Sequence, residues 1–263
     1  MYNNYLNFLN QGVEDITKLN FKSNMNYRGI LEHVSKEYGE EYIKLIETEF
    51  PLIEMENILE FIETNDKYGG TQKEMFTMNE VPIYCSPTSL RYIYHACLIL
   101  SYLQNTKNKN IVEVGCGYGG LCLAINYFQK FFNLKIENYN IVDFDESCGL
   151  IQKYLSLHRN MITTNMKYHS NKSYGKDVNE ENLFFISNYC YTEIDVEHNI
   201  GYTNKLLPKV EHGFLVWQNG GNKGAYPVKN AGEKLLKDVK KTEYERPQTD
   251  AGYDMYKNYF VYF

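Results

Sequence analysis

Asn110-Ile-Val-Glu-Val-Gly-Cys-Gly-Tyr-Gly-Gly-Leu121 is the stretch that decides the fold. Ile111, Val112 and Val114 have the apolar density of a short buried strand. Gly115, Gly117 and Gly119 follow at alternate positions, and Leu121, Ala124, Ile125 and Phe128 then recur at helical spacing. A strand that breaks into glycines and restarts as a helix exposes bare backbone beside a helix N-terminus. α/β proteins hold nucleotide-like cofactors in this way, at the C-terminal ends of their strands.

The glycine spacing does not choose the cofactor. Gly115-x-Gly117-x-x-Gly120 also satisfies the dinucleotide fingerprint, so NAD(P) and FAD stay in view. Two features favour S-adenosylmethionine (SAM). Glu113 stands two residues before the first glycine, where a carboxylate would attract the amine of the methionine moiety and repel a pyrophosphate. The loop also lies near the middle of the chain, so a long N-terminal segment precedes it. Glu113-x-Gly-x-Gly-x-Gly resembles the first motif of class I SAM-dependent methyltransferases.

With 263 residues the chain has room for one sizeable α/β domain and an accessory region. Its 43% hydrophobic and 23% charged residues are ordinary for a soluble protein. A net charge of −6 argues against nucleic acid as the main partner, because phosphate binding depends on basic patches. No apolar run approaches the roughly 20 residues of a membrane span. Met1-Tyr-Asn-Asn-Tyr-Leu lacks the basic start and apolar core of a signal peptide. The cysteines at 85, 97, 116, 122, 148 and 190 form no Cys-x-x-Cys pair and read as reduced thiols of a cytosolic protein. Tyrosine is the outlier, with 25 copies against one Trp. These tyrosines suit either a half-buried core or an acceptor cleft.

Apolar spacing predicts helices over 26–50 and 52–64, with a break at Asn65-Asp-Lys-Tyr-Gly-Gly-Thr71. Ser86-Pro87 is a helix start, Ser as N-cap and Pro at the first helical position, for a helix running to about Leu103. Beyond the glycine loop the period alternates. Strands are expected at 139–144, 161–169, 183–187, 213–217 and 256–263, with helices at 147–158, 202–210 and 231–241. This alternation predicts a Rossmann-like α/β domain over 106–263, with a mostly parallel sheet, after a helical region over 1–105 that caps the site.

Five blocks carry a more specific resemblance: Tyr27-Arg-Gly-Ile-Leu-Glu-His-Val34, Ser86-Pro-Thr-Ser-Leu-Arg-Tyr92, the glycine loop, Tyr139-Asn-Ile-Val-Asp143 and Phe185-Ile-Ser-Asn-Tyr-Cys-Tyr-Thr-Glu193. Together they resemble the sugar O-methyltransferases of bacterial polysaccharide clusters and of large viruses that build their own glycans. Phe144-Asp145 departs from the Leu-Pro expected after the fourth block. The resemblance implies a class I methyltransferase sheet with an antiparallel last strand, and SAM as cofactor. It also implies a sugar hydroxyl as acceptor, on a nucleotide sugar or a glycan. The compartment it implies is the cytoplasm, a host's if the chain is viral. A small non-sugar acceptor is the alternative enzyme, and a scaffold that binds the cofactor without chemistry is the alternative outside catalysis.

Asp143 closes the second strand of the cofactor half, where an acid accepts ribose hydroxyls in NAD and SAM enzymes alike. Phe144 is the candidate wall against adenine, His169 and Ser170 its edge, and Asn188 and Arg91 further cofactor contacts. Methyl transfer is an in-line displacement, so the protein mainly orients the reactants. A sugar hydroxyl is a poor nucleophile at neutral pH, so a general base should take its proton. Glu193 is the first candidate and His198 the second, since histidine titrates near the working pH. Tyr189, Tyr191, Trp217 and Asn219 are the candidate acceptor contacts. No histidine–carboxylate spacing suggests a metal.

Overall fold

The computed structural model describes residues 2–12, 15–218, 239–248 and 257–263. The chain divides into two compact units: 1–102, 117–134 and 149–163 form one; 103–116, 135–148 and 164–263 form the other. Two segments that follow sheet strands thus belong with the N-terminal region.

The first unit begins with α1 (Tyr2–Gly12), α2 (Met25–Leu31), α3 (Lys36–Glu49) and α4 (Met55–Asn65). The helix expected over 26–50 is two helices. Ser35 accepts a hydrogen bond from Tyr38 N at 3.3 Å and caps a new start. The break at 65–71 then leads into a hairpin, β1 (Glu74–Met78) and β2 (Val81–Cys85), in a region expected to be helical. Its turn, Asn79-Glu80, has positive φ at both residues, 46° and 65°, the primed geometry that suits hairpin twist. Phe76, Met78, Ile83 and Cys85 point inward and the residues between them point out.

α5 (Pro87–Leu103) starts where Ser86-Pro87 predicts, and Ser86 Oγ accepts from Thr88 N at 3.2 Å. α6 (Gly120–Phe128) and most of α7 (Asp145–Ser156) complete the unit. Its centre is aromatic: Phe21, Tyr27, Tyr118 and Tyr154 are fully buried and meet at ring distances of 5.0–6.2 Å. Lys22 is buried among them, its ammonium 4.4 Å from the Tyr118 ring and donating to Asn65 O. Asn65 Nδ2 donates to Ser89 Oγ at 2.7 Å, and the Tyr154 hydroxyl donates to Asn65 Oδ1 at 2.7 Å. Tyr118 and Tyr154 are thus core residues whose hydroxyls are hydrogen-bonded.

The second unit is a seven-stranded sheet of β3 (Asn110–Val114), β4 (Asn138–Asp143), β5 (Asn165–Ser170), β6 (Leu183–Asn188), β7 (Val210–Gln218), β8 (Lys241–Tyr244) and β9 (Asn258–Tyr262). Its order is β5-β4-β3-β6-β7-β9-β8. β3 to β7 pair in parallel, and β9 runs antiparallel to both β7 and β8. This is the Rossmann-like sheet that the alternation predicts, with the reversed last strand that the resemblance implies. The order turns back on itself between β3 and β6, the switch point where α/β sheets place ligands.

Short helices α8 (Cys190–Glu193) and α9 (Val196–Lys205) follow β6. The helix expected at 202–210 therefore begins and ends earlier, because Val210 already belongs to β7. Tyr191, Tyr202, Leu206 and Leu207 pack with Phe185, Leu215, Trp217 and Phe263 in the unit's core. The helix expected at 231–241 lies largely outside the described residues. All six cysteines are free thiols, four of them buried. No helix among the described residues is long and apolar enough to cross a membrane.

Candidate functional site

The site is built at the C-terminal ends of β3, β4 and β6. Gly115, Gly117 and Gly119 have φ of 77°, 60° and 92°, in the left-handed region that side chains avoid. A Cβ on Gly115 would stand 2.3 Å from the side chain of Cys190, so the loop also needs glycine for space. Gly119 caps α6 through its left-handed backbone. The loop passes from the second unit to the first after Cys116.

Asp143 is joined to this loop. Its Oδ2 accepts from Cys116 N at 2.8 Å, and its Oδ1 accepts from Phe144 N at 2.7 Å. Burial raises its carboxyl to about 6, against the opposing effect of those two amides and the Ser147 hydroxyl. Two oxygens offer about four lone-pair sites, so the amides leave acceptor capacity for hydroxyls of a ligand. Phe144 is half-buried next to Asp143. Ser170 lies in register with Asp143 on β5 and accepts from Lys172 N at 3.4 Å. His169 is held between Asp177, at 3.1 Å, and Asn140, at 3.0 Å.

Glu113 is buried in β3. It is 2% exposed, and its Oε2 accepts from the Tyr139 hydroxyl at 2.6 Å. Burial, with Asp143 adding to it, raises its carboxyl to about 8. Burial thus favours the neutral form of this carboxyl, and a cation brought beside it would favour the charged one. Tyr139, two residues into β4, was not singled out from sequence. Its hydroxyl partner becomes visible only when Asn110–Val114 and Asn138–Val142 pair.

The end of β6 contributes the other wall. Ser187 Oγ donates to Val114 O at 2.8 Å and accepts from Tyr191 N at 3.1 Å, tying β3, β6 and α8 together. Tyr189 has φ of 66°, an uncommon conformation for a bulky residue, and its hydroxyl donates to the buried Glu245. Asn258 Nδ2 donates to the other oxygen of Glu245 at 2.8 Å. Asn188 is half-buried at the strand end.

Glu193 is on α8, one turn after the Cys190 that touches Gly115. The Cys190 thiol is raised by burial, with Asp143, Glu193 and Glu113 contributing, so these groups share one electrostatic environment. His198 lies further on, in α9, with Nδ1 3.0 Å from the Tyr174 hydroxyl. Two expected acceptor contacts are core residues instead. Trp217 and Tyr191 are each 1% exposed, and the Tyr191 hydroxyl is 3.2 Å from Thr203 Oγ1. Their aromatic faces are spent on packing and present nothing to a ligand. Asn219 lies outside the described residues. Arg91 belongs to the first unit, buried on α5, where its charge acts on Glu32 and His95. Among the described residues no group of three or more His, Cys, Asp or Glu is arranged to hold a metal ion.

No protein-family model matches the chain, and no curated protein matches it in sequence. Among solved structures, the chain is similar to the citrinin polyketide synthase CMeT domain, with a TM-score of 0.48 and 11% identity over 68% of this chain and 53% of that one. It is also similar to the pyocyanin biosynthetic protein PhzM, with a TM-score of 0.44 and 10% identity, covering 67% of this chain and 57% of PhzM. A third is the magnesium protoporphyrin IX methyltransferase ChlM from Synechocystis PCC 6803 with bound SAH, at a TM-score of 0.43 and 11% identity over 66% and 85% of the two chains.

Proposed function

We propose that the protein is a SAM-dependent methyltransferase whose acceptor is a hydroxyl of a sugar, on a nucleotide sugar or a glycan. The observation that carries the cofactor half of this reading is the union of Asp143 with the glycine loop. An acid at the end of the second strand of the parallel run, bonded to Cys116 N, supports a role in accepting ribose hydroxyls. The reversed β9 and the loop's position after a long N-terminal segment favour SAM over a dinucleotide. The acceptor half rests on the likeness of the Ser86–Tyr92 and Phe185–Glu193 blocks to sugar O-methyltransferases.

In this reading the protein orients acceptor oxygen, methyl carbon and sulfonium sulfur in line, and SAM supplies the methyl group when bound. Glu193 accepts the hydroxyl proton; its position on α8, beside the residue that touches Gly115, supports it over His198. Mass spectrometry of reactions containing SAM and a panel of free sugars, nucleotide sugars and oligosaccharides tests the proposal. A product heavier by one methylene group is expected with at least one sugar. Methylation confined to non-sugar acceptors would replace the sugar by a different small molecule.

A further inference from the structure

The first unit contains a cavity of about 290 Å³ that the reading above does not use. It lies between the end of α2, the start of α3, the hairpin and the start of α5, and every residue lining it belongs to that unit. Its size is at the small end of the roughly 300–1,000 Å³ of small-molecule sites, which suits one ring rather than a whole dinucleotide.

The lining is unusually polar. Glu32 forms one wall. Its Oε2 accepts from Ser86 Oγ at 3.3 Å, and the Thr88 hydroxyl also acts on the carboxylate. Its Oε1 is buried and has no hydrogen-bond partner. A buried carboxylate oxygen without a protein donor is satisfied by a cavity water or by a ligand group that brings a proton to it. Burial raises the Glu32 carboxyl, with Lys22 and Arg91 opposing, as expected of an acid short of donors. Gln72 and Ser35 add neutral hydrogen-bonding groups around the same space. Three cations also line it: Lys22, buried, and Arg28 and Lys36, exposed. Against them stand Glu32 and Glu74, and burial lowers the pKa of Lys22, so the exposed cations of the lining are Arg28 and Lys36.

We infer that this cavity binds a monosaccharide-sized, hydroxyl-rich ligand carrying a carboxylate or phosphate, with a ligand hydroxyl donating to Glu32 Oε1 and the anion facing Arg28 and Lys36. The anion selects for guanidinium and ammonium groups that exposed serines and threonines would not supply. The several neutral donors and acceptors suit hydroxyls spaced around a ring better than a single ammonium. The inference concerns binding, and it stands whether or not the second unit transfers methyl groups.

Calorimetric titration of the whole protein, without SAM, tests it with four probes: glucuronic acid, glucose 1-phosphate, glucose and glutamine. At least one of the anionic sugars should bind, with glucose ten-fold or more weaker; the tighter of the two names the anion. Glu32→Gln and Arg28→Ala should each weaken the tighter probe ten-fold or more. Lys109→Ala, which removes an exposed cation from the other unit, should leave it unchanged. Arg28 is exposed, so its variant keeps the fold even if Glu32→Gln does not, and a thermal melt of each variant verifies this. Equal binding of glucose and the anionic sugars, tighter binding of glutamine, or unchanged affinity in Arg28→Ala would overturn the inference. Absence of binding by all four at millimolar concentration would do the same.

Discussion

Glu113→Gln is expected to stabilise the protein above neutral pH. The carboxyl of Glu113 rises from 4.5 to about 8 in the folded chain. A folded acid with a raised pKa binds its proton more tightly than the unfolded chain does. Its contribution to stability is therefore complete below pH 4.5 and is lost as pH rises towards 8. Integrating the linkage for those two values gives a loss of about 3–4 kcal/mol between pH 5 and pH 8 from this group alone. Glutamine keeps the shape and an oxygen to accept from Tyr139, and it carries no titrating proton. Asp143, raised to about 6, adds a slope of the same sign in both proteins, and its interaction with Glu113 is part of the difference measured. Urea unfolding at pH 5, 6, 7 and 8 measures the difference directly. The parent should lose stability relative to Glu113→Gln steadily across the series, by an amount of that order. Parallel curves would show that Glu113 is ionised in the folded protein, and the expected charge on the cofactor amine would be restored.

Asp143→Ala should weaken SAM binding ten-fold or more, since hydrogen bonds to a charged acceptor contribute roughly 1.5–3 kcal/mol each; unchanged affinity in a folded variant would remove Asp143 from the ribose site. Glu193→Gln should spare SAM affinity and lower turnover of an accepted sugar by on the order of 10²–10⁴-fold, the range of a general base. His198→Ala should cost less than that; the reverse ranking would move the base to His198 and its Tyr174 partner.

Six of the sheet's seven strands are legible because their signals are local, whereas β8, Lys241-Thr-Glu-Tyr244, has no apolar run to announce it. Ile111–Val114 and Leu183–Phe185 are apolar runs bounded by polar turns, and Ser86-Pro87 announces α5 in two residues. The hairpin β1–β2 was hidden because Asn79-Glu80 lacks the glycine that marks a primed turn. One helix was expected where Ser35 caps a second, since helical spacing continues across the break. At the site, the glycines and Asp143 could be read from position along the chain. At Glu113, sequence places a carboxylate, and only strand pairing puts the Tyr139 hydroxyl on it and water out of reach. Trp217 and Tyr191 stand near the ends of β7 and β6, where ligand contacts are expected, yet side-chain direction turns both into the core. The Glu245–Tyr189 pair joins residues 56 apart in sequence, a distance across which no local pattern speaks.

The central claim is that the loop at Gly115–Gly119 and Asp143 hold an S-adenosyl cofactor. Calorimetric titration of the protein with SAM, S-adenosylhomocysteine, NADH and NADPH tests it most directly. Saturable binding of SAM and S-adenosylhomocysteine, with none of either nicotinamide cofactor, is the result expected. Binding of NADH or NADPH in the absence of SAM binding would contradict the account and turn the same loop and acid into a dinucleotide site.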